Sequence, residues 1–522
     1  MATVVEHNVR LSESVIWRLQ LEYYRNKGPS AWASGQVPSW VTNNPRLASL
    51  YAEVAVAYGQ DCLAGHGHPI DQGSPINIVE LGAGSGALCY RVLRALDRTE
   101  RIWKPLGLTF RYVATDQAED NVDFWQKHPL LRPYIDTGRL DVAVYSPADE
   151  LELRLRLSGE VLTPGALANP LVLFANYFVD SLPTDLFRVE GGRLFEGRTT
   201  TTCKTPLEDG AWGPRLTPDH LGHLTLDYQW DEVDEPYPES LYNEVLHFYA
   251  ETYDKVSIPF PIAALKALEH VDALSAGRFL WLLADKAPPP GFGGEQGKPV
   301  VHGAISLDAN LDVLREVVAA RRGLYLRNHE GASLDLTALA GEVSHLPTTE
   351  LIWSSHVSAR DPSEYILHFQ SFFTEGATLA PATFVTILSE SGWDPHMIRL
   401  LQRLIIDRVG ELDEAHCRRL LRALELCHEN YFPIGEATDT TSLMGALALR
   451  AGDFALARRF YLESLQHRDQ SHVTMFNLGV CDLREERWNE AVVWFERCLD
   501  VEPEYASAQK YVEVARTLAD KG

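Results

Sequence analysis

The chain has 522 residues, with 47 Lys plus Arg against 72 Asp plus Glu, a formal net charge of −25, and 45% hydrophobic residues. That length suits about three structural units with ample apolar material for a core. The charge excludes the broad positive surface that nucleic acid requires, and the composition excludes extensive disorder.

Seven cysteines (Cys62, Cys89, Cys203, Cys417, Cys427, Cys481 and Cys498) are odd in number and never spaced C-x-x-C, so neither a disulfide frame nor a zinc knuckle is signalled. The opening MATVVEHNVRLSESV has no apolar signal core, and no window reaches the roughly 20 uninterrupted apolar residues of a membrane helix. A cytoplasmic protein without membrane or nucleic-acid partners is expected.

In chain order, residues 11–26 place Val15, Leu19 and Tyr23 on one helical stripe, and residues 45–58 do the same with Leu47, Leu50, Tyr51 and Val54. Residues 1–70 are therefore expected to form a helical cover. His66 and His68 follow in a Gly/Pro-rich loop; two histidines without a third ligand make no metal site, and both are expected to face solvent. From residue 71 the pattern changes to short apolar runs separated by helical stretches: INIVEL (76–81), TFRYVATD (109–116), LDVAVYS (140–146), PLVLFAN (170–176) and RFLWLLAD (278–285). Such runs are buried parallel strands, and their alternation with helices predicts an α/β doubly wound sheet over residues 71–345. An insertion at about 190–275 opens on the Gly191-Gly192 turn, and residues 287–299, rich in Pro and Gly, are expected to be a surface loop.

Beyond about 345 the strands stop. Residues 346–430 predict a helical linker domain, in which HMIRLLQRLIIDRVG (396–410) and EAHCRRLLRALELCHENY (414–431) carry helical periodicity. His416-Cys417 and Cys427-His428 could suggest four metal ligands. On one helix, however, Cys417 and Cys427 stand about 15 Å apart, so one ion cannot bridge them. In residues 431–522, Gly445 pairs with Gly479, Ala457 with Ala491 and Tyr461 with Phe495 at a period of 34 residues. This resembles tetratricopeptide repeats, with Leu478, Gly479, Ala491, Phe495 and Pro503 at the motif positions of the second unit and Asp469 in place of the first unit's proline. Small residues let two antiparallel helices approach, Trp488 and Phe495 fill the gap to the next pair, and residues 509–519 cap the array.

The sharpest local signal is Val79-Glu80-Leu81-Gly82-Ala83-Gly84-Ser85-Gly86-Ala87, after a strand and before a helix. Glycines let the backbone bend tightly and touch a ligand, and a helix N-terminus offers free N–H groups to an acidic group. A nucleotide-like cofactor is the natural occupant. As G-x-G-x-x-A the loop would serve a dinucleotide, for which an acid about 20 residues later is expected, but the better acid, Asp116, ends the second strand after a much longer interval. Ser85 is not a nucleophile elbow, because its flanking glycines stand one place too close.

With Glu80 two places before Gly82, E-x-G-x-G-x-G resembles motif I of class I, Rossmann-like methyltransferases that use S-adenosylmethionine. The resemblance implies that Glu80 steers the methionine ammonium, that Gly82, Gly84 and Gly86 pass under the ribose and methionine, and that Asp116 takes the ribose hydroxyls. Asp149 is implied as a candidate for the adenine amine.

Ala175-Asn176-Tyr177-Phe178-Val179-Asp180-Ser181-Leu182-Pro183 is similar to the A-N-E-x-x-D-A-L-P signature of MidA-type methyltransferases, a family that includes a mitochondrial complex I assembly factor acting on protein arginine. Thr42-Asn43-Asn44-Pro45 resembles that family's T-S-P-E, which adds Thr42 to the implied cofactor contacts. Leu283-Ala284-Asp285-Lys286 resembles its I-D-Y-G, and Leu334-Asp335-Leu336-Thr337 its D-I-T. The resemblance spans roughly residues 10–345.

It implies Asn176, Tyr177 and Asp180 as catalytic candidates, although Asp180 could equally cap a following helix. Three positions depart from the pattern: Tyr177 stands for a glutamate, Arg46 for an acid and Lys286 for a tyrosine. A guanidinium is held best by a fixed carboxylate, so these losses leave the acceptor open. Three functions follow: methylation of a protein, arginine included, recruited by the helical repeats; a scaffold without catalysis that uses those repeats; or a small-molecule methyltransferase with the 190–275 insertion as a lid.

Overall fold

The computed structural model describes residues 3–37, 40–207, 209–210, 213–288, 299–328, 334–358, 379–467 and 471–521. Most of the loop expected at 287–299, and Asp469, lie outside them. The chain forms two units, Met1–Leu367 and His368–Gly522. Strands of four or more residues and helices of nine or more are numbered below in chain order.

The first unit starts with β1 (Thr3–Arg10), where the sequence predicts helix. It pairs antiparallel with a later strand, Thr3 opposite Cys203 and Arg10 opposite Arg198. Glu6 fixes it there, since its carboxylate accepts from the Ser14 hydroxyl, from Val15 N (2.8 Å) and from Thr201 Oγ1 (2.6 Å). Two predicted helices follow. α1 (Val15–Lys27) is capped by Ser14, and α2 (Pro45–Leu63) has Asn44 accepting from Leu47 N at 2.9 Å and a proline, whose missing N–H costs nothing in a first turn. His68 departs from its expected exposure: its Nε2 meets the carbonyl of Gly341 at 2.8 Å, and that partner makes burial tolerable.

The alternating segment then gives β2 (Ile76–Glu80), α3 (Ala87–Trp103), β3 (Phe110–Asp116), α4 (Glu119–Lys127), β4 (Leu140–Val144) and β5 (Leu171–Asn176). Next come β6 (Asp185–Glu190), β7 (Arg193–Cys203), β8 (Leu224–Glu232), α5 (Ser240–Thr252), β9 (Lys255–Phe260), α6 (Ile262–Ser275) and β10 (Phe279–Asp285). The unit's last long elements are α7 (Leu311–Ala320), β11 (Leu324–Arg327) and β12 (Asp335–Ala340).

Seven strands make one sheet in the order β11-β12-β10-β5-β2-β3-β4. The five from β10 to β4 are parallel, and β12 runs antiparallel between β10 and β11. All seven residues of β10 and all five of β2 are buried, as continuous apolar runs require. The strand order reverses between β2 and β5, so the C-terminal ends of these neighbours open the crevice where doubly wound sheets bind ligands.

The insertion is chiefly a second, antiparallel sheet. Its turn is Gly191 (φ 58°) and Gly192 (φ 72°), and β7 pairs with β6, β8 and β1. Period-two alternation makes β6 a wedge: Phe187 and Val189 enter the core of the parallel sheet, while Leu186 joins the cluster around α1.

In the second unit the described long elements are all helical: α8 (Pro381–Glu390), α9 (Pro395–Ile405), α10 (Glu414–Glu429), α11 (Thr440–Arg450), α12 (Phe454–His467), α13 (His472–Arg484), α14 (Trp488–Val501) and α15 (Ala506–Ala519). Cys417 and Cys427 share α10. A Cβ on Gly445 would stand 2.8 Å from the Tyr461 ring, and one on Gly479 would stand 2.5 Å from Phe495. Phe495 also packs against Val512 and Ala515 of α15.

Candidate active site

The crevice is a cavity of about 800 Å³ at the C-terminal ends of β2, β3 and β5. Its floor is the glycine bend, where Gly82, Gly84 and Gly86 have φ of 67°, 53° and 77°, values that a side chain strains. The bend is tied to β3: Ala83 N donates to Thr115 O at 2.8 Å, and Thr115 Oγ1 donates to Glu80 O at 2.7 Å. Gly86 then caps α3 without a side chain.

Two of the three glycines are also needed by neighbours. A Cβ on Gly86 would meet the Trp125 indole at 2.6 Å, and one on Gly84 would meet Trp32 at 2.7 Å. Trp125 is fully buried on α4 and donates from Nε1 to Gly84 O at 3.2 Å, whereas Trp32 faces the cavity.

Glu80 and Asp116 flank this floor and both line the cavity. Asp116 accepts Gly84 N at 3.0 Å on Oδ2 and Ala118 N at 2.9 Å on Oδ1. Burial nonetheless raises its carboxyl. Glu80 accepts Tyr112 Oη at 2.8 Å, but full burial outweighs that bond and pushes its carboxyl up to about 8.

At the end of β5, Asn176 is fixed from two sides: its Oδ1 accepts Tyr51 Oη at 2.6 Å, and its Nδ2 donates to the carbonyl of Thr42 at 2.9 Å. Thr42 and Asn176 both line the cavity, and the first-turn segment is locked to α3 by Arg91 Nη1 on Asn43 Oδ1 at 2.8 Å. Tyr177 lines it too, with a left-handed φ of 48° that costs a non-glycine residue of order 1 kcal/mol, and its N donates to Ala284 O at 2.9 Å.

Asp180 lies apart from them. It sits in a 3₁₀ turn (Val179–Ser181), outside the cavity lining, and the next long element is strand β6, so it caps no α-helix. It is buried beside Asp285, whose Oδ2 accepts Val179 N (2.8 Å) and Asp180 N (3.1 Å). Burial first and the neighbouring carboxylate second raise Asp180 well above the usual range; burial lifts Asp285 to about 7. The Lys286 ammonium counters part of this at Asp180 and stands 5.7 Å from the Tyr177 ring centroid.

Asp149 reaches the cavity from an exposed turn after β4, where it accepts Ser146 Oγ at 2.5 Å. The far wall comes from the insertion, through Tyr237, Glu239, Tyr242 and Lys266. Sequence reasoning passed over Tyr24 and Trp32, which also line the cavity. Tyr24 stands next to the predicted core residue Tyr23, and Trp32 lies in a stretch without periodicity, so neither carried a signal. Among the described residues no group of three or more His, Cys, Asp or Glu could hold a metal ion, and no helix is long and apolar enough to cross a membrane.

The residues present fit S-adenosyl-L-methionine on chemical grounds. Glu80 suits an ammonium and Asp116 a cis-diol, while the space in front of the bend is shared with rings, Phe178 at Gly82, Trp32 at Gly84 and Trp125 at Gly86.

Residues 63–281 match the model of a family described as "Putative S-adenosyl-L-methionine-dependent methyltransferase". No curated protein matches the chain. Two solved structures from Burkholderia thailandensis are similar to it at 12% identity, each over 64% of this chain and 89% of its own. One is an uncharacterized protein (TM-score 0.35) and the other was solved bound to S-adenosyl-homocysteine (TM-score 0.36). The family match carries the class: the chain is a methyltransferase that uses S-adenosyl-L-methionine.

Proposed function

We propose that the chain transfers a methyl group to a nitrogen or oxygen of a protein acceptor, arginine included, and that the helical repeats of the second unit recruit that protein. The observation that carries the catalytic part is the single cavity joining Glu80, the glycine bend and Asp116 to Asn176 and Tyr177. Bound cofactor supplies an electrophilic methyl on a sulfonium. The chain's own residues then align the acceptor atom with that methyl and exclude water, and such positioning supplies most of the acceleration.

Asn176, held rigid by Tyr51 and Thr42, is the candidate to orient the acceptor, and Tyr177 is the candidate to shape its entry. Asp180 stands behind them and sets the charge of that end rather than meeting the acceptor. Helix pairs closed on Gly445 and Gly479 support the recruiting role, because stacked helix pairs present an extended surface suited to a polypeptide.

A small-molecule acceptor is the second reading, favoured by the insertion, whose Tyr237, Tyr242 and Lys266 wall the same cavity. Incubation with radiolabelled cofactor and cell lysate separates the two. Label in a discrete protein band that disappears with Gly84→Arg supports the protein acceptor; label confined to the low-mass fraction replaces it with the second reading. Cofactor binding without transfer to either would leave a scaffold.

A further inference from the structure

Two indoles meet the bend at Gly84, and they are held differently. Trp125 is fully buried and donates from Nε1 to Gly84 O at 3.2 Å. Trp32 is half-buried on the cavity wall, and among the described residues its indole N–H has no hydrogen-bond partner. Three of its ring atoms nevertheless stand 2.7, 3.0 and 3.1 Å from the point a Cβ on Gly84 would take. The face of Gly84 that lacks a side chain is therefore covered by a ring from another part of the chain.

That ring is lightly tied. It stacks on Tyr24 (centroids 5.8 Å, 20° between planes) and rides a one-turn helix, Ser30–Ala33, set between Gly28 (φ 49°) and Gly35 (φ 73°). Among the described residues, the bonded backbone N–H groups of residues 28–37 all find their acceptors within residues 24–37. Ala31, buried in the cluster around α1, anchors the turn. The Trp32 indole can thus leave Gly84 without breaking a hydrogen bond to the parallel sheet, whereas Trp125 would lose its bond to Gly84 O.

If the bend passes under the cofactor, a nucleoside and the Trp32 ring cannot both lie against Gly84. We propose that Trp32 is a shutter, closed on Gly84 by its stack with Tyr24, which swings aside for S-adenosyl-L-methionine to enter and for S-adenosyl-homocysteine to leave. This inference rests on the methyltransferase reading. A ligand that binds only the open form has its affinity reduced by the fraction of chains that are open. One stacked aromatic pair shifts such an equilibrium about three- to tenfold. Because the two compounds share the nucleoside and amino-acid parts that would meet the bend, the shutter lowers the affinity of both alike.

The test is calorimetric affinity for both compounds, and stopped-flow binding followed by tryptophan fluorescence, with wild type, Trp32→Ala and Trp32→Phe; Trp125 stays beside the bend as a reporter in each. Trp32→Ala should bind both compounds about three- to tenfold more tightly. In the wild type the binding rate should level off with rising ligand concentration at the rate of opening, and in Trp32→Ala it should climb linearly. Trp32→Phe, which keeps a smaller ring on the turn, should fall between them, and it decides the matter should Trp32→Ala fail to fold. Weaker binding in the variants would make the indole a fixed wall against which the cofactor rests, and unchanged affinity would place it off the cofactor's path; both outcomes overturn the proposal. Failure of all three proteins to bind either compound would instead overturn the methyltransferase reading, and this inference with it.

Discussion

Glycine does different work in the two units. At the bend in the first unit, Gly82, Gly84 and Gly86 hold left-handed backbone, and two of them also leave room for tryptophans. In the second unit, Gly445 and Gly479 lie in ordinary helical backbone and serve only as gaps, filled by Tyr461 and Phe495. A side chain at the bend is therefore opposed by conformation and by space, whereas one in the helices is opposed by space alone. Sensitivity at the bend should accordingly reach the ligand, and sensitivity in the helices should stop at stability.

The severest way to break that contrast is Gly84→Val. A β-branched residue at φ 53° is strained, and its Cβ would stand 2.7 Å from Trp32. Expected are a loss of about 2–4 kcal/mol in urea unfolding of the first unit and a fall of at least about 100-fold in cofactor affinity by calorimetry. Unfolding without loss of affinity in the remaining folded protein would detach the bend from the cofactor.

Gly479→Ala should act in one unit only. Helix propensity favours alanine by about 1 kcal/mol, but a Cβ 2.5 Å from the Phe495 ring forces repacking that costs about 1–3 kcal/mol. The second unit should lose about 1–2 kcal/mol in denaturant titration, with cofactor affinity unchanged within about twofold. A stabilised variant would show that the helix pair opens easily and that Gly479 is not needed for close approach.

Glu80 sharpens the bend's side of the comparison through pH. Its carboxyl, lifted to about 8 by burial, is protonated at neutral pH and must ionise to pair with an ammonium. Cofactor affinity should therefore rise with pH, by up to about tenfold per unit, and level off near pH 8; Glu80→Gln should flatten the profile. Stability runs the other way. A carboxyl whose folded pKa exceeds its unfolded value of 4.5 binds more protons when folded, so the ligand-free chain loses stability as pH climbs from about 4.5 to about 8. Melting curves of wild type and Glu80→Gln across that window test the sign.

How much of this was legible depended on whether the signal was local. INIVEL followed by glycines fixes strand, bend and helix within a dozen residues, and Glu80 and Asp116 both line one cavity. The 34-residue period marks Gly479 as a point of close helix approach, but it assigns Phe495 to the gap to the next pair, whereas the ring lies against Gly479 as well as against α15. By contrast β1 becomes a strand through partners nearly two hundred residues away, so residues 3–10 carry little of that information themselves. His68 is buried by a carbonyl at Gly341, and Asp180 is drawn from the cavity wall toward Asp285, both by contacts made only in the folded chain. Tyr24 and Trp32 reach the bend from a different helix and turn, which no spacing within residues 76–87 could disclose.

Asp149 gives the mildest test, and it separates resemblance from geometry. Family likeness makes it a partner for the adenine amine, yet it is exposed, and the carboxylate contact seen is Ser146 Oγ at 2.5 Å within its own turn. Contacts of an exposed carboxylate are weakened by solvent and salt, and a side chain already engaged gains less from a new donor. Asp149→Ala should therefore weaken cofactor affinity by less than about twofold, whereas Asp116→Ala, which removes the acceptor of Gly84 N and the diol site together, should weaken it far more. A loss of about tenfold or greater at Asp149 would mean that the turn closes onto the base when ligand arrives, moving part of the binding energy from the rigid bend to an element that the ligand itself must order.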